Sequence, residues 1–153
     1  MGNPGGEVPD GTKEVLGRVL NRDLFLFLLD LEVKRARRYQ NFICLMLLKI
    51  KQFKKNNDGL DFPTCHEILS DLLSVEIRES DILGELDGDK LIVLLPYADA
   101  KAGNHARTRF EETLKYYNFK NKGFEVMVDQ ICFPVDGTNT MDLIRKSLGE
   151  ATT

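Results

Sequence analysis

Two groups of charged residues in the middle of the chain have types and spacings suited to a phosphorylated ligand. Arg78 and Asp81 form an Arg-x-x-Asp tetrad, and Asp87, Asp89 and Lys90 follow it closely. An arginine offers two parallel donors to an anion such as phosphate, and an aspartate accepts hydrogen bonds from N–H groups. Clustered carboxylates hold Mg²⁺ against a triphosphate in phosphoryl transfer. The segment 78–90 is therefore the candidate site.

The apolar pattern around this segment predicts the elements that must position it. Asp87-Gly88 stands between two apolar runs and predicts a β-hairpin with a type I′ turn, which needs φ > 0 at both central residues. The continuous apolar run over 42–50 predicts a central strand covered on both faces. Asn21 or Asp23 is expected to cap the helix before it. The remaining predicted elements are helices over 67–76, 98–118 and 142–148, a strand over 123–133 and a turn over 134–137. Together these elements predict an α+β protein whose mainly antiparallel sheet has helices packed on it.

Composition limits the classes of function. The 153 residues are 42% hydrophobic and 29% charged, as expected of one soluble globular domain. A net charge of −3 argues against binding polymeric nucleic acid or acidic membranes, but a few arginines could still hold a small anionic ligand. The three cysteines and two histidines lack metal-ligand spacing, so neither a metal nor a cofactor is expected.

The ends and the hydropathy of the chain give two further expectations. Residues 1–13 are rich in Gly and Pro and are interpreted as a linker or a cloning remnant. No apolar run reaches the length of about 18 residues that a membrane span needs, and no signal peptide is visible. We therefore expect a cytoplasmic location and no membrane contact by this fragment.

In their order and spacing these motifs resemble the GGDEF domain, the domain of the diguanylate cyclases that make cyclic di-GMP. The sequence Asp-Gly-Asp-Lys-Leu at 87–91 aligns with the family's signature pentad, and the strand after it ends at Pro96 as in the family. The family's Phe-Lys and Asn-Asp landmarks stand at 53–54 and 57–58, and its Pro-x-Asp-Gly turn stands at 134–137. The resemblance implies the GGDEF fold, a ferredoxin-like relative of the nucleotidyl cyclase palm. It would cover residues 14–153, with a truncated C-terminal helix, as part of a larger protein.

The resemblance also implies a degenerate active site. Lys49 stands where the family has a metal-binding Asp, and Lys90 stands where the hairpin has a Glu. Asp87 replaces a Gly that lets phosphate approach the backbone, so Asp89 alone remains of the family's carboxylates. A charged lysine has no free lone pair and repels Mg²⁺, so we expect no catalytic residues and no enzyme activity. The two lysines could clamp phosphates without a metal, or they could form a surface salt-bridge cluster with the aspartates.

The resemblance also implies a second site. In the family, an Arg-x-x-Asp at this distance before the hairpin is the inhibitory site, or I-site, which binds the product cyclic di-GMP. About one such tetrad is expected by chance among nine arginines and thirteen aspartates, so the position of Arg78 and Asp81 carries the inference. Arg109 matches an arginine that the family adds from the following helix, and Arg35 matches one that a neighbouring domain supplies.

These matches imply a catalytically inactive receptor for cyclic di-GMP in bacterial second-messenger signalling. Arg35 would then cross-link a homodimer or a neighbouring domain through the ligand. Two other functions stay open. In an interaction or scaffold domain without a nucleotide, the tetrad is a chance match and Arg109 is a solvated helix residue. A residual GTP-binding cyclase would bind GTP with Mg²⁺ through Asp89 and Asn57, which matches the family's guanine-reading Asn. Titration with cyclic di-GMP and with GTP separates the three.

Overall fold

A computed structural model describes residues 19–54 and 60–149, in which a single sheet carries helices on both faces. The four α-helices of these residues are Arg22–Tyr39 (α1), Phe62–Glu76 (α2), Ala100–Tyr117 (α3) and Thr140–Ser147 (α4). The four strands are Ile43–Gln52 (β1), Ile82–Asp87 (β2), Lys90–Pro96 (β3) and Phe124–Phe133 (β4), and a 3₁₀ turn spans Phe119–Lys122. The order β1-α2-β2-β3-α3-β4 is ferredoxin-like, which confirms the predicted α+β class.

A polar side chain caps the start of each of these helices. Each capping side chain accepts a hydrogen bond from a backbone N–H in the first turn. The capping residues are Asn21, Asp61, Asp99 and Asn139. Asn21 is therefore the cap of α1, which confirms one of the two predicted alternatives. The predicted start of α2 at Glu67 is wrong, because Asp61 caps the helix and Pro63 fits its first turn.

The sheet has the strand order β2-β3-β1-β4, and every neighbouring pair is antiparallel. The predicted central strand is confirmed, because β1 pairs on both sides and is buried over most of its length. A backbone bridge covers the edge of β2: Leu20 donates to the Leu83 carbonyl at 2.9 Å and accepts from the Glu85 N–H at 2.9 Å. No helix among the described residues is long and apolar enough to cross a membrane.

Each face of the sheet has its own apolar core, because alternate residues of β1 point to opposite sides. On one face Cys44, Met46 and Leu48 pack under α2 and α3, with Phe110 fully buried. On the other face the core holds α1 and α4, and its largest buried members include Phe25, Leu29, Ile43 and Leu45. The chain therefore forms three layers, with the sheet between two pairs of helices.

The hairpin is present, but its turn differs from the prediction. Asp87 pairs with Lys90, so Gly88 and Asp89 are the two turn residues, one position later than predicted. Neither Gly88 nor Asp89 is among the described residues with positive φ, so the turn is not type I′. An irregularity between Glu85 and Asp87 shifts the register of β2. Such a bulge increases the local twist, which a type I′ turn would otherwise supply.

Candidate functional site

The β2–β3 hairpin places the candidate residues at its two opposite ends. We call residues 78–82 and 94–97 the hairpin base, and residues 87–90 the hairpin tip. Leu94 pairs with Ile82, so the end of β3 lies beside the turn that contains the Arg-x-x-Asp tetrad. At the other end, Ile50 of β1 donates to the Asp89 carbonyl at 2.8 Å and fixes the tip against the central strand.

At the hairpin base, Arg78 and Asp81 contact each other directly. They lie in a turn between α2 and β2, where the Asp81 N–H donates to the Arg78 carbonyl at 3.0 Å. Asp81 Oδ2 accepts from the Arg78 backbone N–H at 2.8 Å, and Asp81 Oδ1 accepts from Arg78 Nη2 at 3.3 Å. The Asp81 side chain is 0% exposed, whereas that of Arg78 is 59% exposed. Asp81 therefore closes the turn and orients the arginine, which is the group that solvent or a ligand meets.

Arg109 lies exposed on α3, on the side that faces the end of α2. One turn further along α3, Thr113 Oγ1 donates to Glu76 Oε1 at 2.9 Å. Residues four apart share one face of a helix, so Arg109 and Thr113 point to the same side. Glu76 is only two residues before Arg78. The side of α3 that carries Arg109 therefore packs toward the end of α2, from which the chain continues to Arg78.

Arg35 reaches the hairpin base from the opposite layer. It lies on α1, where Arg35 Nε donates to Glu32 Oε1 at 3.2 Å, and its guanidinium also donates to the Tyr97 hydroxyl. The guanidinium carbon stands 4.3 Å from the centre of the Tyr97 ring. The hydrogen bond to Glu32 raises the pKa of Arg35 above its usual value. Tyr97 directly follows Pro96 at the end of β3, so Arg35 lies at the same end of the hairpin as Arg78.

Sequence reasoning did not single out Tyr97. The available signal was an aromatic residue immediately after the proline that ends an apolar strand. Its contact with Arg35 joins residues 62 positions apart and has no local signature in the sequence.

The hairpin tip is a network of ion pairs. Lys49 and Lys90 are direct partners across the β1–β3 ladder. Lys90 Nζ lies 3.2 Å from Asp89 Oδ1 and 3.6 Å from Asp87 Oδ2. Arg22, which the sequence analysis missed, donates to Asp87 Oδ1 at 2.9 Å and to the Leu86 carbonyl at 3.1 Å. Lys90 is thus ion-paired with both aspartates, as the salt-bridge alternative predicted for it.

The tip does not fit the Mg²⁺ ions that the family resemblance implies. Both carboxylates are paired with cations, and Lys49 lies directly across the ladder from Lys90, so the tip is rich in positive charge. Within residues 19–54 and 60–149, no cluster of three or more His, Cys, Asp or Glu side chains could hold a metal. Asn57, the predicted guanine reader, lies outside the described residues.

Two other features lie away from the four predicted ligand residues. A cavity of about 740 Å³ opens between α3 and β4, and its lining includes Arg107, Lys115, Met127 and Asp129. None of the four predicted residues lines it. His66 Nε2 is buried without a hydrogen-bond partner in the described structure, 3.6 Å from Glu85 Oε1.

Comparison with known proteins agrees with this fold. Residues 14–148 match the sequence model of the family described as "Diguanylate cyclase, GGDEF domain". The chain is 24% identical over 117 residues to the probable diguanylate cyclase DgcT of Escherichia coli strain K12. That match covers 74% of this chain and 25% of DgcT, so the chain spans about a quarter of the length of this curated relative.

Two solved structures show the same architecture. A DGC protein from Thermotoga maritima superposes with a TM-score of 0.74 at 17% identity, over 90% of this chain and 98% of that one. The GGDEF domain of DgcB from Caulobacter crescentus, in complex with c-di-GMP, gives a TM-score of 0.69 at 17% identity, over 94% and 86% of the two chains. At these identities the two structures support the fold alone. Membership of the family rests on the match of residues 14–148 to its sequence model. The chain belongs to the GGDEF family of diguanylate cyclase domains.

Proposed function

We propose that this domain binds cyclic di-GMP at its hairpin base and does not synthesise it. The observation that carries the proposal is the pairing of a buried Asp81 with an exposed Arg78, whose guanidinium is thereby oriented outward. A guanidinium held in this way donates two parallel hydrogen bonds to phosphate or guanine with little loss of side-chain freedom. The structure of DgcB with c-di-GMP supports the choice of ligand.

The ligand's charge matches the arginines at this end of the molecule. Cyclic di-GMP carries two phosphates and two guanine bases. Arg78 follows α2, Arg109 lies on α3 near the end of α2, and Arg35 comes from α1. In this proposal Arg78 and Arg109 bind phosphate and a guanine edge, while Asp81 holds Arg78 in place. Direct acceptance from guanine N–H groups by Asp81 would require its carboxylate to turn outward from its present hydrogen bonds.

The absence of synthesis is proposed from the charges at the hairpin tip. Two-metal phosphoryl transfer needs carboxylates that are free to coordinate Mg²⁺. Asp89 is paired with Lys90, and Lys49 adds a second positive charge directly across the ladder. A metal ion entering this region would meet like charges before it met a free ligand oxygen.

Titration calorimetry with cyclic di-GMP tests the proposal, with GTP plus Mg²⁺ as the parallel titration. We expect low-micromolar binding of the dinucleotide alone, and no cyclic product from GTP. Arg78→Glu should weaken binding by about a hundredfold, because it removes charged hydrogen bonds and adds repulsion. Arg145→Glu, the same change on the exposed surface of α4, is the matched control and should leave the affinity unchanged.

The other outcomes select the remaining functions. Retained micromolar affinity in Arg78→Glu would exclude the hairpin base as the site. Binding of GTP with Mg²⁺ alone would identify a residual cyclase, and silence in both titrations would indicate a nucleotide-free interaction domain. Sedimentation with and without cyclic di-GMP tests the proposed cross-linking, since Arg35→Ala should abolish any ligand-induced dimer.

A further inference from the structure

Tyr97 has a backbone conformation that its place in the fold does not explain. Three described residues other than glycine have positive φ: Gln40 at 56°, Tyr97 at 60° and Asn118 at 63°. Gln40 and Asn118 end α1 and α3, where the left-handed conformation is a common way to close a helix. Tyr97 lies instead between β3 and α3. For a bulky residue this conformation is costly, and such strain persists where the surroundings enforce it.

The Tyr97 ring is both held in place and exposed. Arg35 donates to the Tyr97 hydroxyl and its guanidinium lies 4.3 Å from the ring centre, while Glu32 holds Arg35 from the other side. Tyr97 is nevertheless 63% exposed. An aromatic ring that is fixed by a cation on one side and open to solvent elsewhere is a prepared stacking surface.

The position of this ring relates it to the proposed site. Leu94 of β3 pairs with Ile82, the residue after Asp81. Tyr97, which follows the end of β3, therefore lies at the same end of the hairpin as the tetrad. Asp81 itself is fully buried and hydrogen-bonded to Arg78, so its carboxylate does not present an acceptor to a guanine edge. A guanine bound here therefore needs another recognition group, and a ring face provides one.

We propose that Tyr97, backed by Arg35, stacks on a guanine base of the cyclic di-GMP bound at Arg78. This inference rests on the proposed function and adds to it a base-binding residue from the segment between β3 and α3. Stacking on the base face complements the arginines, which bind its edge and the phosphates.

The test compares three variants of the full chain by calorimetric titration with cyclic di-GMP. Tyr97→Asn removes the ring but keeps a residue that tolerates positive φ, and it should weaken binding about tenfold or more. Tyr97→Phe keeps the ring, so its affinity should stay within about twofold of the unsubstituted chain. The matched control is Tyr116→Asn, the same substitution at a residue of α3 that is 94% exposed, and it should bind as the unsubstituted chain does. Equal thermal unfolding midpoints of the free Tyr97 variants would show that the fold is preserved.

The outcomes separate this inference from the proposed function. If the unsubstituted chain binds, Arg78→Glu does not bind and Tyr97→Asn binds normally, the stacking role is overturned and the receptor function stands. If Tyr97→Phe loses as much affinity as Tyr97→Asn, the hydroxyl contact with Arg35 is what matters, and stacking is again overturned. Absence of binding in the unsubstituted chain overturns both proposals.

Discussion

At the scale of single residues, the carboxylate of Asp81 has a structural task before any ligand arrives. It is fully buried and accepts from both the backbone N–H and the guanidinium of Arg78. A buried donor left without its acceptor is costly, and this acceptor also closes the turn that leads into β2. The side chain that the sequence marks as a ligand residue therefore also stabilises the fold.

Asp81→Ala should lower the free energy of unfolding by about 1–3 kcal/mol, because the Arg78 N–H loses its buried acceptor. Urea unfolding of the ligand-free protein measures the change. Glu79→Ala is the control in the same turn, since Glu79 is exposed, and it should change stability by less than about 0.5 kcal/mol. Equal stabilities of the Asp81 and Glu79 variants would contradict the structural role.

At the scale of elements, the position of the hairpin depends on how closely α1 approaches β2. Gly84 makes this possible: a Cβ built there would come within 2.4 Å of the ring of Phe25, which is fully buried. The helix and the strand are therefore in contact at a point where no side chain fits between them. Gly88 at the hairpin tip has open space around it.

Gly84→Ala should destabilise the protein by about 1–3 kcal/mol, because the added methyl group must displace a buried ring from α1. Gly88→Ala is the matched control: its φ is not positive and nothing lies within 4 Å, so its effect should be within about 0.5 kcal/mol. Thermal and urea unfolding of both variants measure the difference. A Gly88 variant as unstable as the Gly84 variant would show that the loss comes from backbone freedom and not from contact with Phe25.

At the scale of the whole molecule, the two ends of one hairpin are separate regions. With six residues in β2, the tip and the base are about 20 Å apart. The tip carries Lys90 ion-paired with two aspartates, whereas the base carries the arginines and Tyr97. A substitution at one end of the hairpin is therefore expected to leave the other end unchanged.

The double variant Lys49→Asp with Lys90→Glu should bind cyclic di-GMP within about twofold of the unsubstituted chain, since the substituted side chains lie about 20 Å from the proposed site and charges are screened over about 8 Å at physiological salt. Addition of EDTA should likewise leave the affinity unchanged, because no metal takes part in the proposed contacts. Titration calorimetry gives both values. A tenfold fall in either case would show that the dinucleotide binds at the hairpin tip.

Much of this architecture follows from local signals in the sequence. Asn21 caps α1 because its side chain satisfies a free N–H group three residues further along the chain. The apolar run of β1 and the glycine-containing turn between two apolar strands predict their elements for equally local reasons. The order of the elements then predicts an α+β sheet with helices packed on it, and the family resemblance specifies the ferredoxin-like arrangement.

Tertiary structure decided what these elements bring together. The bulge in β2 moved the turn by one residue, and the burial of Asp81 turned its carboxylate away from solvent. The contact of Arg35 with Tyr97 depends on α1 packing on one face of the sheet while β3 ends beside it. Such contacts join residues that are far apart in the chain, so they depend on strand register and layer packing, which no short stretch of sequence encodes.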